Sequence, residues 1–200
     1  ALWPARPDGS QADALFKHHM RAPLAMRDVR SIPGVADLVA IATGHHTFAF
    51  GPIVRLRPAA GLNSVAGVEI VTPGVRPQEG AMAGKPVPEG GVRDQGGLYQ
   101  TPWALGPNLF LAAYAYRRPN CTGTSGVDSN GFGIYLVDSF GNRELLHRDP
   151  LFSSCVPIPL RSRPRPPLIP SVVEERPDAV CLVSDVYDGL RSVERGTIRY

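Results

Sequence analysis

Two pairs of adjacent histidines, His18-His19 and His45-His46, carry the side chains of this sequence best suited to bind a metal or a cofactor. Neighbouring residues of an extended chain point to opposite faces, so one pair rarely gives two ligands to one metal. His45 and His46 directly follow the predicted buried strand Leu38 to Thr43 and begin a loop. They are therefore the candidates for a pocket-lining or metal-proximal position. The alternative, that both are ordinary loop histidines, stays open.

Other motifs of known chemistry do not occur in the sequence. Gly123-Thr124-Ser125-Gly126 has the wrong spacing for the nucleophile elbow of a serine hydrolase. Gly131-Phe132-Gly133 precedes a predicted strand and not a helix, which does not fit a phosphate-binding loop. No Cys-x2-Cys or His-x3-His spacing indicates a zinc site, and no Cys-x-x-Cys-His motif would attach haem. Asp185 and Tyr187 lie in a predicted loop, where they either meet a ligand or cap turns. We identify no catalytic, cofactor-binding or metal-ligating residue.

An apolar strand, a turn and a returning strand occur together three times along the chain. These hairpins are predicted at residues 2–16, 53–71 and 134–146. Two further strands precede each of the last two hairpins: Ala25 to Ile32 with Leu38 to Thr43, and Tyr99 to Leu105 with Leu109 to Tyr116. Four strands per unit with Gly/Pro turns are typical of a propeller blade. We therefore predict an all-β fold, a partial β-propeller with about two full four-stranded blades plus part of another.

The chain divides into three predicted regions. Residues 1–160 form the C-terminal blades of the propeller, with a long Gly- and Pro-rich insertion at Thr72 to Gly97 and a further unit start at Leu151 to Leu160 that does not continue as a blade. Residues 161–177 are rich in proline, which favours polyproline II and a strap or linker. Two strands in residues 178–200 begin a second, truncated β-domain. We expect the chain to be a segment of a longer protein.

Composition narrows the classes of partner. No run of about 18 apolar residues occurs, so no membrane span is expected. The net charge of +3 is mild and no basic stripe with interleaved aromatic residues exists, so we expect no nucleic-acid partner. Cys121, Cys155 and Cys181 are too few and too scattered for a disulfide framework, and one bridge with one free thiol remains open.

Several segments resemble a known family. Leu2-Trp3 with Pro7-Asp8-Gly9-Ser10 resembles the PD40/TolB-like propeller repeat. The chain is also similar, in order along the sequence, to the hydrazine synthase alpha-subunit-like family of large extracytoplasmic proteins. The segments that carry this similarity are Ala42 to Leu56 with its His-His pair, Ile134 to Arg148, the Pro157 to Pro170 strap, Asp185 to Leu190 and Arg195 to Ile198. The resemblance covers most of the chain and is weakest at the insertion.

The resemblance implies a propeller followed by a middle domain, in a parent protein that is often haem-bearing. The parent would then be a haem c-dependent oxidoreductase outside the cytoplasm, in the periplasm or an equivalent compartment, and this segment would be a scaffold that is not itself catalytic. Its partners would be the rest of the parent chain, with the missing blades and the haem-bearing region, and other subunits. The alternative is a non-enzymatic propeller that binds protein or glycan partners. The fold alone does not choose between the two.

Overall fold

The computed structural model describes residues 1–20, 23–44, 50–72, 74–77, 98–116, 130–162, 165, 168–171, 178, 181 and 183–198. The regular structure in these residues is almost entirely β-strand. The strands are β1 (Ala25–Ser31), β2 (Leu38–Thr43), β3 (Ile53–Leu56), β4 (Val68–Ile70), β5 (Leu98–Gly106), β6 (Leu109–Ala115), β7 (Gly133–Asp138) and β8 (Arg143–His147). They form two four-stranded antiparallel sheets in the orders β1-β2-β3-β4 and β5-β6-β7-β8. The all-β prediction is confirmed.

The three predicted hairpins are present. Leu2 and Phe16 form an antiparallel bridge that closes the first hairpin around a turn at Pro7-Asp8-Gly9. The second hairpin is β3 with β4, and the third is β7 with β8. The buried strand predicted at Leu38 to Thr43 matches β2 residue for residue.

The first sheet is covered on both faces. One face packs Ala40, Val54 and Leu56 against Phe16 of the first hairpin. The opposite face, with Ile41 and its neighbours, belongs to a larger apolar cluster that it shares with the second sheet. Because burying one large aliphatic or aromatic side chain contributes about 1.5–3 kcal/mol, each unit stabilises the next by covering its apolar face.

A bulge with left-handed backbone occurs at the same place in the first strand of each sheet. Asp28 in β1 has φ 55° and Thr101 in β5 has φ 50°. Strand pairing shifts register there, between Arg27 and Arg30 in one sheet and between Gln100 and Trp103 in the other. The two bulges are joined, since the backbone N–H of Thr101 donates to Oδ2 of Asp28 at 3.1 Å. We call β1 and β5 the first strands of their units.

A third segment repeats this arrangement beyond the second sheet. Val156 has φ 55°, and its backbone N–H donates to Oγ1 of Thr101 at 3.0 Å. Proline follows the left-handed residue in both later units, as Pro102 and Pro157. The backbone N–H of Ser154 also donates to the carbonyl of Phe132, at 2.9 Å. Residues 153–160 contain no strand, but their hydrogen bonds to the second sheet repeat those by which β5 contacts the first sheet. The sequence predicted a unit start at Leu151 to Leu160 that does not continue as a blade.

Residues of the predicted strap and second β-domain show no strand where the structure describes them. The described residues of the strap are exposed, and the carbonyl of Pro170 accepts a hydrogen bond from Arg6 at 3.3 Å. Residues 183–198 form successive turns. Strands were predicted at Ala179 to Val183 and Thr197 to Tyr200. Cys181, Val183, Thr197 and Ile198 lie in neither strand nor helix, and the other residues of both stretches lie outside the described residues.

The link between bulges predicts a measurable effect at Asp28. An Asp28→Ala change removes the acceptor for the Thr101 N–H and places alanine at positive φ, so we expect the free energy of unfolding to fall by about 1 kcal/mol. Asp28→Asn keeps an acceptor oxygen and tolerates left-handed backbone, so it should change stability little. Denaturant titration of the full chain measures both. Equal losses for alanine and asparagine would contradict a role for this hydrogen bond.

Candidate functional site

His45 and His46, the histidines predicted to lie near a pocket, are outside the described residues. Their role therefore stays a prediction. The other pair is placed at the surface. His18 and His19 meet edge to face with ring centroids 4.4 Å apart, and His18 meets Trp3 in the same way at 5.5 Å. The backbone N–H of His19 donates to Oδ1 of Asn63 at 2.7 Å. These contacts tie the first hairpin to the loop before β4, which is a structural role.

The described part of the chain contains no cluster of histidine, cysteine and carboxylate side chains that could hold a metal. Cys155 and Cys181 are free thiols, and Cys121 lies outside the described residues. Burial raises the pKa of the Cys155 thiol, whose sulfur accepts a hydrogen bond from Gln100 at 2.9 Å. A thiol held protonated in this way is a poor nucleophile at neutral pH.

A groove lies where the first strands of successive units end. It has a volume of about 780 Å³, within the usual range of small-molecule sites. The described residues that line it are Val29, Arg30, Ser31, Pro33, Trp103, Ala104, Arg161 and Ser162. They come from β1 and the turn after it, from β5, and from the chain that follows residues 153–160. All three units therefore contribute to this groove, which we call the first-strand groove.

The first-strand groove contains a stacked arginine and tryptophan. The guanidinium carbon of Arg30 lies 4.4 Å from the ring centroid of Trp103, a distance typical of a cation–π contact. The Nε atom of Arg30 is buried and has no hydrogen-bond partner among the described residues. A buried guanidinium N–H without an acceptor is costly, by about 1–3 kcal/mol or more for a charged group. The guanidinium stacked on Trp103, together with the volume of the groove, marks it as a candidate binding site.

Arg30 and Trp103 hold equivalent positions in their units, two residues after Asp28 and Thr101 respectively. The shared bulge turns both side chains to the same side, and this brings them together. The sequence motifs considered above include none of Arg30, Trp103 and Arg161. An alignment of residues 27–30 with residues 100–103 places Arg30 and Trp103 at equivalent positions. That alignment requires the positions of the two bulges, which the sequence alone does not give.

Tyrosines and an arginine form a second cluster, within the second sheet. Tyr99, Tyr114 and Tyr135 are almost fully buried on one face. Nη1 of Arg143 donates to the Tyr99 hydroxyl at 3.2 Å, and its guanidinium carbon lies 4.7 Å from the centroid of the Tyr114 ring. Burial raises the pKa of each of these phenols above its ordinary value. They stay neutral at physiological pH, and we interpret the cluster as packing for the sheet.

Asp185 and Tyr187, considered above for ligand binding or turn capping, both cap turns. Asp185 accepts from the Tyr187 backbone N–H at 2.9 Å and pairs with Arg195 at 2.6 Å. The Arg195 hydrogen bond lowers the pKa of Asp185. The Tyr187 hydroxyl accepts from the backbone N–H groups of Gly196 and Ile198, at 2.7 and 3.0 Å. These hydrogen bonds hold residues 185–198 in a compact turn.

Known proteins give no guide to this groove. No family model, curated protein or solved structure matches the chain. The described residues also contain no helix long and apolar enough to cross a membrane. The stacked units and the first-strand groove are therefore the observations from which a function can be proposed.

Proposed function

We propose that the chain is part of a β-propeller and serves as a scaffold within a larger extracytoplasmic protein of the hydrazine synthase alpha-subunit-like kind. The observation that supports this best is the chain of bulges Asp28, Thr101 and Val156, in which each unit hydrogen-bonds to the unit before it. Such a repeat suits a rigid frame that holds other parts of a protein in place. The propeller and the family are parts of this proposal, and the family is supported by sequence resemblance.

The haem-dependent oxidoreductase site belongs, in this proposal, to another part of the parent protein. The residues of this chain do not fit c-type haem attachment, because Cys121, Cys155 and Cys181 are followed by threonine, valine and leucine and never by histidine. The partners of the segment are then the remaining blades, the haem-bearing region and other subunits. Cys-x-x-Cys-His motifs elsewhere in the parent sequence would favour this function over a binding module.

The role of the histidine pair can be tested by haem retention in the complete parent protein. If His45 or His46 borders the haem or metal pocket, replacing it with alanine should weaken retention by about tenfold or more, the usual effect of losing a supporting group around a metal. His18→Ala is the matched control, because His18 packs on Trp3 at the surface of the first hairpin. Haem content measured by absorbance separates the cases. Equal occupancy in all three variants would remove both histidines from the site.

A second candidate function, a binding module without catalytic activity, is favoured by the first-strand groove. Its volume, its two arginines and its tryptophan are features of a ligand site. A scaffold and a ligand-binding propeller are compatible in one chain. Ligand binding by the groove is the property that separates this function from scaffolding alone.

A further inference from the structure

The first-strand groove carries positive charge that its own lining does not neutralise. Arg30 and Arg161 line it, and none of the other described lining residues is acidic. Asp37 pairs with Arg55 and Arg57. Asp28 accepts the Thr101 backbone N–H and keeps its negative charge, but it is not among the residues that line the groove. An anionic group in the groove would therefore meet two guanidinium groups.

The geometry of the charge favours a planar anion. A guanidinium presents N–H donors in a flat fork that matches a carboxylate in a bidentate way. The Arg30 side chain is fixed by its stacking on Trp103, so little rotamer entropy is lost when it accepts a partner. Its Nε is covered by protein, so the terminal Nη groups are the donors that a ligand in the groove would meet. Arg161 is exposed and lines the same groove, where it supplies a second guanidinium group.

The rest of the lining suits an apolar body attached to that anion. Val29, Pro33, Trp103 and Ala104 present carbon surface, and Ser31 and Ser162 add hydroxyl groups at the rim. A groove of about 780 Å³ is larger than a lone inorganic anion needs. The lining therefore combines a site for one negative charge with a wall for a ring or a short chain.

We propose that the first-strand groove binds an organic carboxylate with a compact apolar body, held by Arg30 and Arg161 and resting against Trp103. This goes beyond the scaffold role and gives the binding-module function its ligand class. The three units all supply lining residues, so the ligand also bridges them. Binding involves no covalent step.

The test uses the full chain with Trp3→Phe, which leaves Trp103 as the remaining tryptophan of the chain and as a fluorescent reporter inside the groove. Benzoate is the probe, and benzamide is its neutral control of the same shape. We expect benzoate to change the emission saturably and benzamide to bind at least tenfold more weakly, the fold-change expected from losing a charge-assisted hydrogen bond. Equal affinity for the two would overturn the proposal.

Variants locate the binding. Arg161→Ala should weaken benzoate binding about tenfold, and Arg161→Lys should recover part of it. Arg165→Ala removes the same charge from an exposed position that is not among the groove residues, and should leave the affinity unchanged. Equal losses from both alanine variants would indicate general charge attraction and contradict the assigned site. Thermal unfolding of each variant is measured in parallel. A variant that loses benzoate binding at an unchanged unfolding temperature has lost the ligand site, whereas a lowered unfolding temperature shows that the stacked sheets themselves are destabilised.

Discussion

Gly51→Ala should lower the free energy of unfolding by about 3 kcal/mol. A Cβ atom at this position would fall on the backbone carbonyl oxygen of Ala42 in β2. Relieving such an overlap moves backbone, and overpacking of this kind costs about 1–3 kcal/mol. Gly51 also exchanges two backbone hydrogen bonds with Tyr99 of β5, each 2.9 Å long, which join the two sheets. Losing them adds about 1 kcal/mol each.

The control for this change is Gly106→Ala at the end of β5, where an added Cβ meets no atom within 4 Å. It should leave stability almost unchanged. Denaturant unfolding followed by tyrosine and tryptophan emission measures both variants, since Tyr99 lies at the joint. A Gly51→Ala protein as stable as the Gly106→Ala protein would mean that the two sheets are not joined through this bridge.

Phe16→Ala should be as damaging, with an expected loss of about 3–5 kcal/mol. The Phe16 ring is fully buried between the first hairpin and the face of the first sheet that holds Ala40 and Leu56. Removing it leaves a cavity in the cluster that covers this face. The N-terminal hairpin, fastened by the Leu2–Phe16 bridge, should then open before the sheets do.

Phe140→Ala is the matched control, because Phe140 lies in the turn between β7 and β8 and its side chain is 78% exposed. Hydrogen exchange of the Leu2 and Leu15 amides reports local opening, because these N–H groups donate across the hairpin to the carbonyls of Phe16 and Leu2, respectively. Unchanged protection there in Phe16→Ala would argue that the first hairpin does not depend on stacking against the first sheet.

The strands and their order could be predicted from the sequence, because period-2 apolar patterns and Pro/Gly turns are local signals. Leu38 to Thr43 is an example, since its alanine, valine and isoleucine side chains suit a strand buried on both faces. The strands predicted in residues 178–200 rested on short apolar runs of the same kind. The turns seen at residues 183–198 depend on Asp185 and Tyr187 hydrogen bonds that a short apolar run does not reveal.

The first-strand groove could not be predicted from the sequence. Its residues come together because residues next to them have left-handed backbone, a conformation that their residue types disfavour. Thr101 and Val156 are β-branched residues with positive φ, an arrangement that costs about 1–3 kcal/mol at each position. A register shift of one residue decides which face of a strand a side chain occupies, so Arg30 and Trp103 meet only because both first strands bulge. The prediction of His45 and His46 as site residues was based on their position at a strand end, and both lie outside the described residues.

The outer strands of both sheets bear on how this protein behaves at high concentration. In the described part of the chain, β4 and β8 are end strands that each pair with one neighbouring strand. β4 is three residues long with Glu69 at its centre, and β8 is exposed throughout, with Arg143 and Glu144 preceding Leu145 and Leu146. Short, charged margins discourage a second molecule from adding its own strand. Replacing Glu144 with a neutral residue would therefore be expected to promote fibrillar or amorphous self-association before it affects folding.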